Sequence, residues 1–439
     1  RVDRIARGGL IIHVDATLGT FLTAANGCAR RDVVNSSVSR QKTRARGMHG
    51  LRRAPRLAHM IHAAAKVQAA GGVRSLAFDA SAPLQLANGE LLAPLTIAFE
   101  TYGALNTERT NAVLVCHALT TDQFVASPNP VTGRPAWWPR IVGPGRPIDT
   151  NRFFVICANV LGGSMGTTGP ATLARDGQPW GLRFPPIGVA DMVRAQSMLV
   201  EALGIESLFL VIGAGMGGMQ ALNWASAYPK RVFSCVTIAS AARQSAQNIA
   251  LSELGRQAVM ADPDWRGGGY HAHGVRPAKG LAVARVATQV ASFSESAVRE
   301  RLGAAHKRER FAFNADYSSG AVSSFIERFD ANSFLYLSRA MDSFDLADDF
   351  GGRLANAFQG GATRHCVFAF TSDWRFPPAD SRAVARALIA AGVDAGFVEI
   401  ESDNGHDAYL GEEPQFEAAL TGFIDANASA RGLSLIGGA

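Results

Sequence analysis

The 439-residue sequence has no long apolar run, few cysteines and only 18% charged residues. A membrane-spanning helix needs about 18 or more consecutive apolar residues, and no stretch reaches that length. The five cysteines are scattered, whereas a disulfide framework or a zinc site needs paired spacings. These absences favour a globular protein without a metal site or a membrane partner, in the reducing conditions of the cytoplasm.

The basic residues are concentrated at the beginning of the chain. Residues 1–66 hold 13 Lys and Arg against 3 Asp and Glu, whereas the remaining residues hold 30 against 34. Three interpretations compete: an upstream, non-functional extension, an organellar targeting segment, or an arm that contacts nucleic acid. Aromatic residues do not interleave with these charges. We therefore favour the first interpretation and predict no nucleic-acid partner.

From about residue 90, short β-branched runs alternate with longer segments that have helical spacing of apolar residues. This alternation predicts a mostly parallel sheet flanked by helices. Between about 246 and 345 the strand pattern stops, and strands resume near 366–370 and 397–400. The interruption predicts a helical cap inserted into one core.

This pattern divides the chain into five predicted segments. They are a basic extension 1–70, a first part of the core 71–245, a helical cap 246–345, a second part of the core 346–430, and a tail 431–439. The core is therefore expected to form from two stretches on either side of the cap.

The glycine-rich segment that follows the apolar run 208–212 allows two interpretations. Gly213, Gly215 and Gly218 fit the dinucleotide-binding pattern, which also requires an acidic residue about 20 positions later. No Asp or Glu occurs between residues 207 and 252. The same segment fits the nucleophile elbow G-x-S-x-G, with Gly215 at the position of the serine. We favour the elbow.

Two residues later in the chain support the elbow. In α/β-hydrolases an acid and then a histidine follow the nucleophile, each in a loop after a late strand. Asp373 follows the predicted strand that ends at Phe370, and His406 follows the one that ends near Glu401. Their order and positions predict a catalytic pair.

Several longer motifs occur together with these residues, and they run in one order along the chain. They are AFETYG at 98–103, HALT at 117–120, GGSMGTTGP at 162–170, MGGMQ at 216–220, DPDW at 262–265 and GHD at 405–407. From about residue 75 to 428 the sequence resembles the homoserine O-acetyltransferase family of the α/β-hydrolase superfamily. The resemblance implies an α/β-hydrolase fold with an inserted cap.

The resemblance also implies an activity. The family moves an acyl group from acyl-CoA, here with acetyl-CoA favoured, to the hydroxyl of L-homoserine on the route to methionine. The implied mechanism is a ping-pong reaction through a Ser-His-Asp triad, with acyl-CoA as a co-substrate and no bound cofactor. A homodimer in the cytoplasm is expected on the same grounds.

In addition to position 215, six residues receive roles from the resemblance. Asp373 and His406 match the acid and the base of the triad. The backbone N–H groups of Leu119 and Met216 match the oxyanion hole. Arg285 matches an arginine that holds the homoserine carboxylate, and Asp407 matches an acid near the amino group. Arg285 in a structural ion pair and Asp407 as a helix cap are the competing interpretations.

Gly215 is the main departure from the family, because glycine has no atom that can attack a thioester. By alignment, Ser292 replaces a tyrosine, Ser164 a cysteine and Arg375 an apolar residue. Three alternatives to an impaired homoserine O-acetyltransferase follow: an inactive binding homologue, a serine or homoserine O-succinyltransferase, and a hydrolase on the same fold. The pair Arg285 and Asp407 argues against the hydrolase.

Overall fold

The computed structural model describes residues 2–5, 9–14, 65–70, 73–306 and 319–433. Among these residues, eleven strands form one sheet. They are β1 Val2–Ile5, β2 Gly9–Val14, β3 Ala65–Ala70, β4 Val73–Phe78, β5 Leu95–Tyr102, β6 Ala112–Cys116, β7 Phe154–Ala158, β8 Leu208–Ala214, β9 Val232–Ile238, β10 Arg364–Phe370 and β11 Ala395–Ile400.

The strand order in this sheet is β1-β2-β11-β10-β9-β8-β6-β7-β5-β4-β3. The run from β7 through β6, β8, β9, β10 and β11 to β2 is parallel, and the pairs at both ends of the sheet are antiparallel. A mostly parallel sheet requires helical crossovers that cover both faces. The fold class predicted from the alternating pattern is confirmed.

The helices lie between the strands, in the stretch before β10, and after β11. They are α1 Val189–Ala202, α2 Met216–Ala227, α3 Ala246–Ala261, α4 Ala278–Ser292, α5 Glu295–His306, α6 Ser319–Arg328, α7 Ala331–Asp342, α8 Pro378–Ala390 and α9 Pro414–Ala430. Proline occupies the first position of α8 and α9, where the missing N–H has no intrahelical partner to lose. No described helix is long and apolar enough to cross a membrane.

The core has two parts, one on each face of the sheet. Along β6, Leu114 faces the side covered by α1, α2 and α8, whereas Val113 and Val115 face the side covered by α9. This alternation is the period-2 pattern of a strand. Cys116, Cys157, Cys235 and Cys366 are buried in this core as free thiols, and burial raises the pKa of each. They pack as small apolar groups.

Helices α3 to α7 occupy the stretch predicted as the cap. Ser245 caps α3 by accepting from the N–H of Asn248, and Asp330 caps α7 by accepting from the N–H of Ser333. Helix α3 packs along α4, and α4 also contacts the short turn Gly405–Leu410 of the core. The described cap therefore rests on the ends of the core strands. Its bounds as a separate segment stay a prediction.

The predicted basic extension 1–70 falls mostly outside the described residues. Its described parts are β1 and β2, beside β11, and β3, which pairs with β4 at the opposite end of the sheet. These strands carry no clear pattern in the sequence, since the regular alternation begins only near residue 90.

Candidate active site

Strand β8 leads directly through Gly215 into α2, which is the strand-turn-helix arrangement of a nucleophile elbow. Gly215 has φ +54° and ψ −117°. A Cβ on Gly213 would lie 2.3 Å from the carbonyl oxygen of Gly217, and a Cβ on Gly217 would lie 2.0 Å from that of Cys116. Because backbone atoms leave no room for a side chain at either position, close packing is sufficient to require glycine at Gly213 and Gly217.

Asp373 and His406 approach each other from the loops that follow β10 and β11. The Nδ1–H of His406 donates to Oδ2 of Asp373 at 2.9 Å. The other oxygen, Oδ1, accepts from the backbone N–H groups of Arg375 and Phe376, each at 2.9 Å. Asp373 and His406 are 2% and 4% exposed. The carboxylate therefore fixes the imidazole with its proton on Nδ1 and its lone pair on Nε2.

The free nitrogen of His406 faces Gly215. A Cβ on Gly215 would lie 3.2 Å from Nε2 and 3.4 Å from Cε1 of His406, with Cε2 of Phe376 next at 3.9 Å. A hydroxyl on that carbon would lie within hydrogen-bond reach of Nε2, as in a nucleophile and its base. The structure thus brings together Gly215, Asp373 and His406, which we call the catalytic floor, and this floor has a base but no nucleophile.

Leu119 and Met216, the residues predicted for the oxyanion hole, line a small cavity above the catalytic floor. Met216 is the first residue of α2, where backbone N–H groups have no intrahelical partner. Such groups favour a negatively charged oxygen. The start of α2 and the His406 base therefore border the same cavity, and the role of Leu119 and Met216 stays a prediction.

His117 holds the loop that carries Leu119. Its Nδ1–H donates to the carbonyl of Ala118 at 2.8 Å, and its Nε2 accepts from the N–H of Val160 at 3.1 Å. Gln220 of α2 donates to the carbonyl of His117 at 3.3 Å. Burial lowers the pKa of His117 and so favours the neutral ring that these bonds require. The loop is fixed to α2 and to the neighbouring loop.

Charged side chains form another side of the site, and we call Arg285, Arg375 and Asp407 the charged wall. Arg375 and Asp407 line the cavity together with Ser292, whereas Arg285 does not line it. The guanidinium of Arg285 lies over the ring of Phe325, 5.4 Å from its centroid. Nη1 of Arg375 donates to Oγ of Ser292 at 3.5 Å.

Burial dominates the electrostatics of the charged wall. It lowers the pKa of Arg285 to about 10, while the charge of Asp407 opposes the shift. Burial likewise lowers the pKa of Arg375, with the same opposing effect of Asp407. Two desolvated cations therefore interact with one carboxylate. Such an arrangement gains free energy when a ligand brings a further negative charge.

Comparison with known proteins agrees with this geometry. Residues 111–413 match the family described as alpha/beta hydrolase fold. The chain is 57% identical over 368 residues to a homoserine O-acetyltransferase of Mesorhizobium japonicum, covering 82% of this chain and 95% of that protein. It is 55% identical over 365 residues to one of Caulobacter vibrioides, covering 81% and 96%. The chain belongs to the homoserine O-acetyltransferase family.

Solved structures extend the likeness of this homoserine O-acetyltransferase family member. The homoserine O-acetyltransferase of Bacillus anthracis superposes with a TM-score of 0.71 at 26% identity, covering 82% of this chain and 98% of that chain. Esterase E22 superposes with the same TM-score and identity, covering 82% and 100%. The predicted α/β-hydrolase fold is confirmed.

Sequence reasoning missed one contact between the cap and the site of this family member. Arg328, at the end of α6, donates from Nη2 to the carbonyl of Thr120. Its Nη1 lies 3.2 Å from Oδ2 of Asp122, and both side chains are largely buried. Arg328 and Thr120 are 208 positions apart. No local pattern signals such a contact, because it depends on how the cap folds over the core.

Proposed function

We propose that this chain has the acyl-transfer site of a homoserine O-acetyltransferase, in which Gly215 prevents the covalent route. In the serine form of the site, the hydroxyl at position 215 attacks the thioester of acetyl-CoA, and His406 accepts its proton. Asp373 stabilises the imidazolium, and the N–H groups of Leu119 and Met216 stabilise the oxyanion. Homoserine then takes the acyl group from the enzyme, which is a ping-pong reaction in methionine biosynthesis.

One observation carries this proposal: the 3.2 Å separation between Nε2 of His406 and the place of a Cβ on Gly215. A histidine with only a structural role is not expected to leave its second ring nitrogen unbonded and facing the turn between a strand and a helix. The retained geometry needs only one side-chain oxygen to complete the triad.

For the acceptor, we assign the charged wall to the amino-acid part of homoserine. Arg285 supplies a fork of donors for the carboxylate, and Asp407 supplies a negative charge for the ammonium group. The reduced pKa of Arg285 supports this role, because a bound carboxylate compensates the desolvation of the guanidinium.

A succinyl donor is the second candidate, and Arg375 is the observation that favours it. Its guanidinium lines the cavity beside Ser292, whereas an acetyl group has no charge for it to bind. A succinyl group ends in a carboxylate, which a buried guanidinium binds well. The names of the similar proteins favour acetyl-CoA, so the two candidates are tested together.

Two further assignments belong to the proposal. Apolar side chains of α3 and α4 are exposed, namely Ile249, Leu254, Val283 and Val290. These helices pack on each other, so their exposed residues suit the pairing of two subunits into a homodimer. The substrates are small metabolites, and we place the protein in the cytoplasm.

The decisive experiment compares the chain as written with Gly215→Ser. Each protein is given acetyl-CoA or succinyl-CoA with homoserine or serine, and O-acyl product is measured. We expect transfer to rise by roughly 10³-fold or more in Gly215→Ser, since loss of a triad nucleophile has an effect of at least that order. Gly215→Ala is the matched control, because it adds the same Cβ without the hydroxyl.

The donor is decided by Arg375→Leu in the Gly215→Ser background. If succinyl-CoA is the donor, this change reduces succinyl transfer and spares acetyl transfer; if acetyl-CoA is the donor, the preference stays with acetyl. A folded Gly215→Ser protein that transfers neither acyl group, yet binds CoA or an amino acid, would identify a non-catalytic binding protein. Rapid ester cleavage without use of an acceptor would identify a hydrolase, as the likeness to an esterase suggests.

A further inference from the structure

Gly215 leaves space directly beside the base of the catalytic floor. Within 4 Å of a Cβ at this position, the nearest atoms are Nε2 and Cε1 of His406 and Cε2 of Phe376. The cavity above it has an empty volume of about 300 Å³. A water molecule takes up about 30 Å³. The cavity therefore has room for an acyl group and for a water molecule beside Gly215.

The polar groups around this space suit a water molecule that reacts. Gly215 and His406 line the same cavity, and Nε2 of His406 faces Gly215, so a water molecule beside Gly215 can donate a hydrogen bond to Nε2. Because Asp373 holds the proton of His406 on Nδ1, Nε2 can only accept there. Leu119 and Met216 line the same cavity, so an acyl carbonyl held by their N–H groups lies next to the water.

We propose that the chain as written hydrolyses acyl-CoA thioesters without a covalent intermediate, using a water molecule at Gly215 as the nucleophile. This activity rests on the proposed function, because it uses the same donor pocket and oxyanion hole. The water oxygen forms a bond to the thioester carbon, and its proton passes to Nε2 of His406. When the tetrahedral intermediate collapses, the C–S bond breaks and the imidazolium returns the proton to the thiolate, releasing a carboxylic acid and CoA.

The test measures CoA release from acetyl-CoA and from succinyl-CoA without any acceptor, in water labelled with oxygen-18. We expect release at roughly 10⁵ times the uncatalysed rate, because the oxyanion hole and binding supply roughly 10³ and a general base adds roughly 10². One labelled oxygen is expected in the carboxylic acid. Gly215→Ala places a methyl group where the water binds, and His406→Ala removes the base, so each is expected to reduce release at least 10-fold.

Gly215→Ser serves as the control for folding and for the proposed function. If Gly215→Ser transfers acyl groups to homoserine but the chain as written releases CoA only at the uncatalysed rate, the hydrolytic inference is wrong and the proposed function stands. Undiminished release by Gly215→Ala would also overturn the inference, as would release that requires homoserine and yields its O-acyl ester. If Gly215→Ser is folded and inactive with every substrate pair, the proposed function itself fails.

Discussion

On the catalytic floor, Asp373 accepts hydrogen bonds from His406 and from two backbone N–H groups, and these bonds leave His406 one orientation. On the charged wall, by contrast, the buried Arg285 lies over an aromatic ring, and its Nε has no hydrogen-bond partner. The hydrogen bonds of the floor are made before a substrate arrives, whereas a wall of this kind gains free energy from a ligand that brings a negative charge. Chemistry and selectivity are thus built in different ways in one cavity.

The largest effect is expected from breaking the floor. In the Gly215→Ser background, Asp373→Asn should reduce the acylation rate by about 10⁴-fold, because the amide no longer holds the productive tautomer of His406. Single-turnover measurement of acyl-enzyme formation checks this, with Gly215→Ser alone as the reference. A reduction of less than 10-fold would mean that Asp373 is only structural.

A smaller effect is expected from the charged wall. In the same background, Arg285→Met should raise KM for homoserine about 30-fold, or about 2 kcal/mol, with little change in the acylation rate. In the proposed function Arg285 binds the acceptor and not the thioester, so its replacement weakens homoserine binding. Steady-state kinetics at varied homoserine and saturating donor measure the change. An equal loss in acylation by donor alone would contradict the separation between floor and wall.

Arg328 fixes the cap to the loop that carries Leu119, so its replacement tests a contact outside both the floor and the wall. Arg328→Met removes the donor to the carbonyl of Thr120 and leaves Asp122 buried without its guanidinium. In the Gly215→Ser background we expect kcat to decrease about 10-fold with KM for homoserine unchanged, because the loop of Leu119 shifts relative to the oxyanion. Arg328→Lys should restore part of the rate. A change confined to thermal stability would make Arg328 a structural residue.

The smallest effect is expected from a buried histidine that, unlike His406, has no carboxylate as a hydrogen-bond partner. Burial lowers the pKa of His365 to about 3, and its Nδ1 has no hydrogen-bond partner. The unfolded chain binds this proton near pH 6.5 and the folded chain does not, so the free energy of unfolding decreases as pH falls below 6.5. When the pH falls from 6.5 to 5.5, this effect lowers the free energy of unfolding of the parent by about 1 kcal/mol. We expect His365→Leu to lack that decrease.

Urea unfolding of the parent and His365→Leu at the two pH values measures that difference. Equal slopes with pH in both proteins would show that His365 takes up its proton in the folded chain as well. The comparison with His406 is direct, because both imidazoles are buried and only His406 has a carboxylate partner.

Much of the fold follows from local sequence. Strand β6 coincides with an apolar β-branched run, and α2 ends at Ala227, directly before Tyr228-Pro229. Apolar β-branched runs and a terminating Tyr228-Pro229 are local signals, so they survive without tertiary information. Strands β3 and β4 were missed, because their short runs precede the regular pattern and pair at the edge of the sheet.

The candidate site likewise has some features that follow from local sequence and others that depend on the tertiary structure. The sequence by itself determined the elbow around Gly215, the order of Asp373 and His406, and the missing nucleophile, because motif spacing and side-chain chemistry are local. Only the tertiary structure decided that Nε2 of His406 faces Gly215, that Arg285 does not line the cavity, and that Arg328 reaches Thr120. These distances depend on loops from separate strands and on a cap folded across them, and no interval along the chain encodes how closely such parts approach.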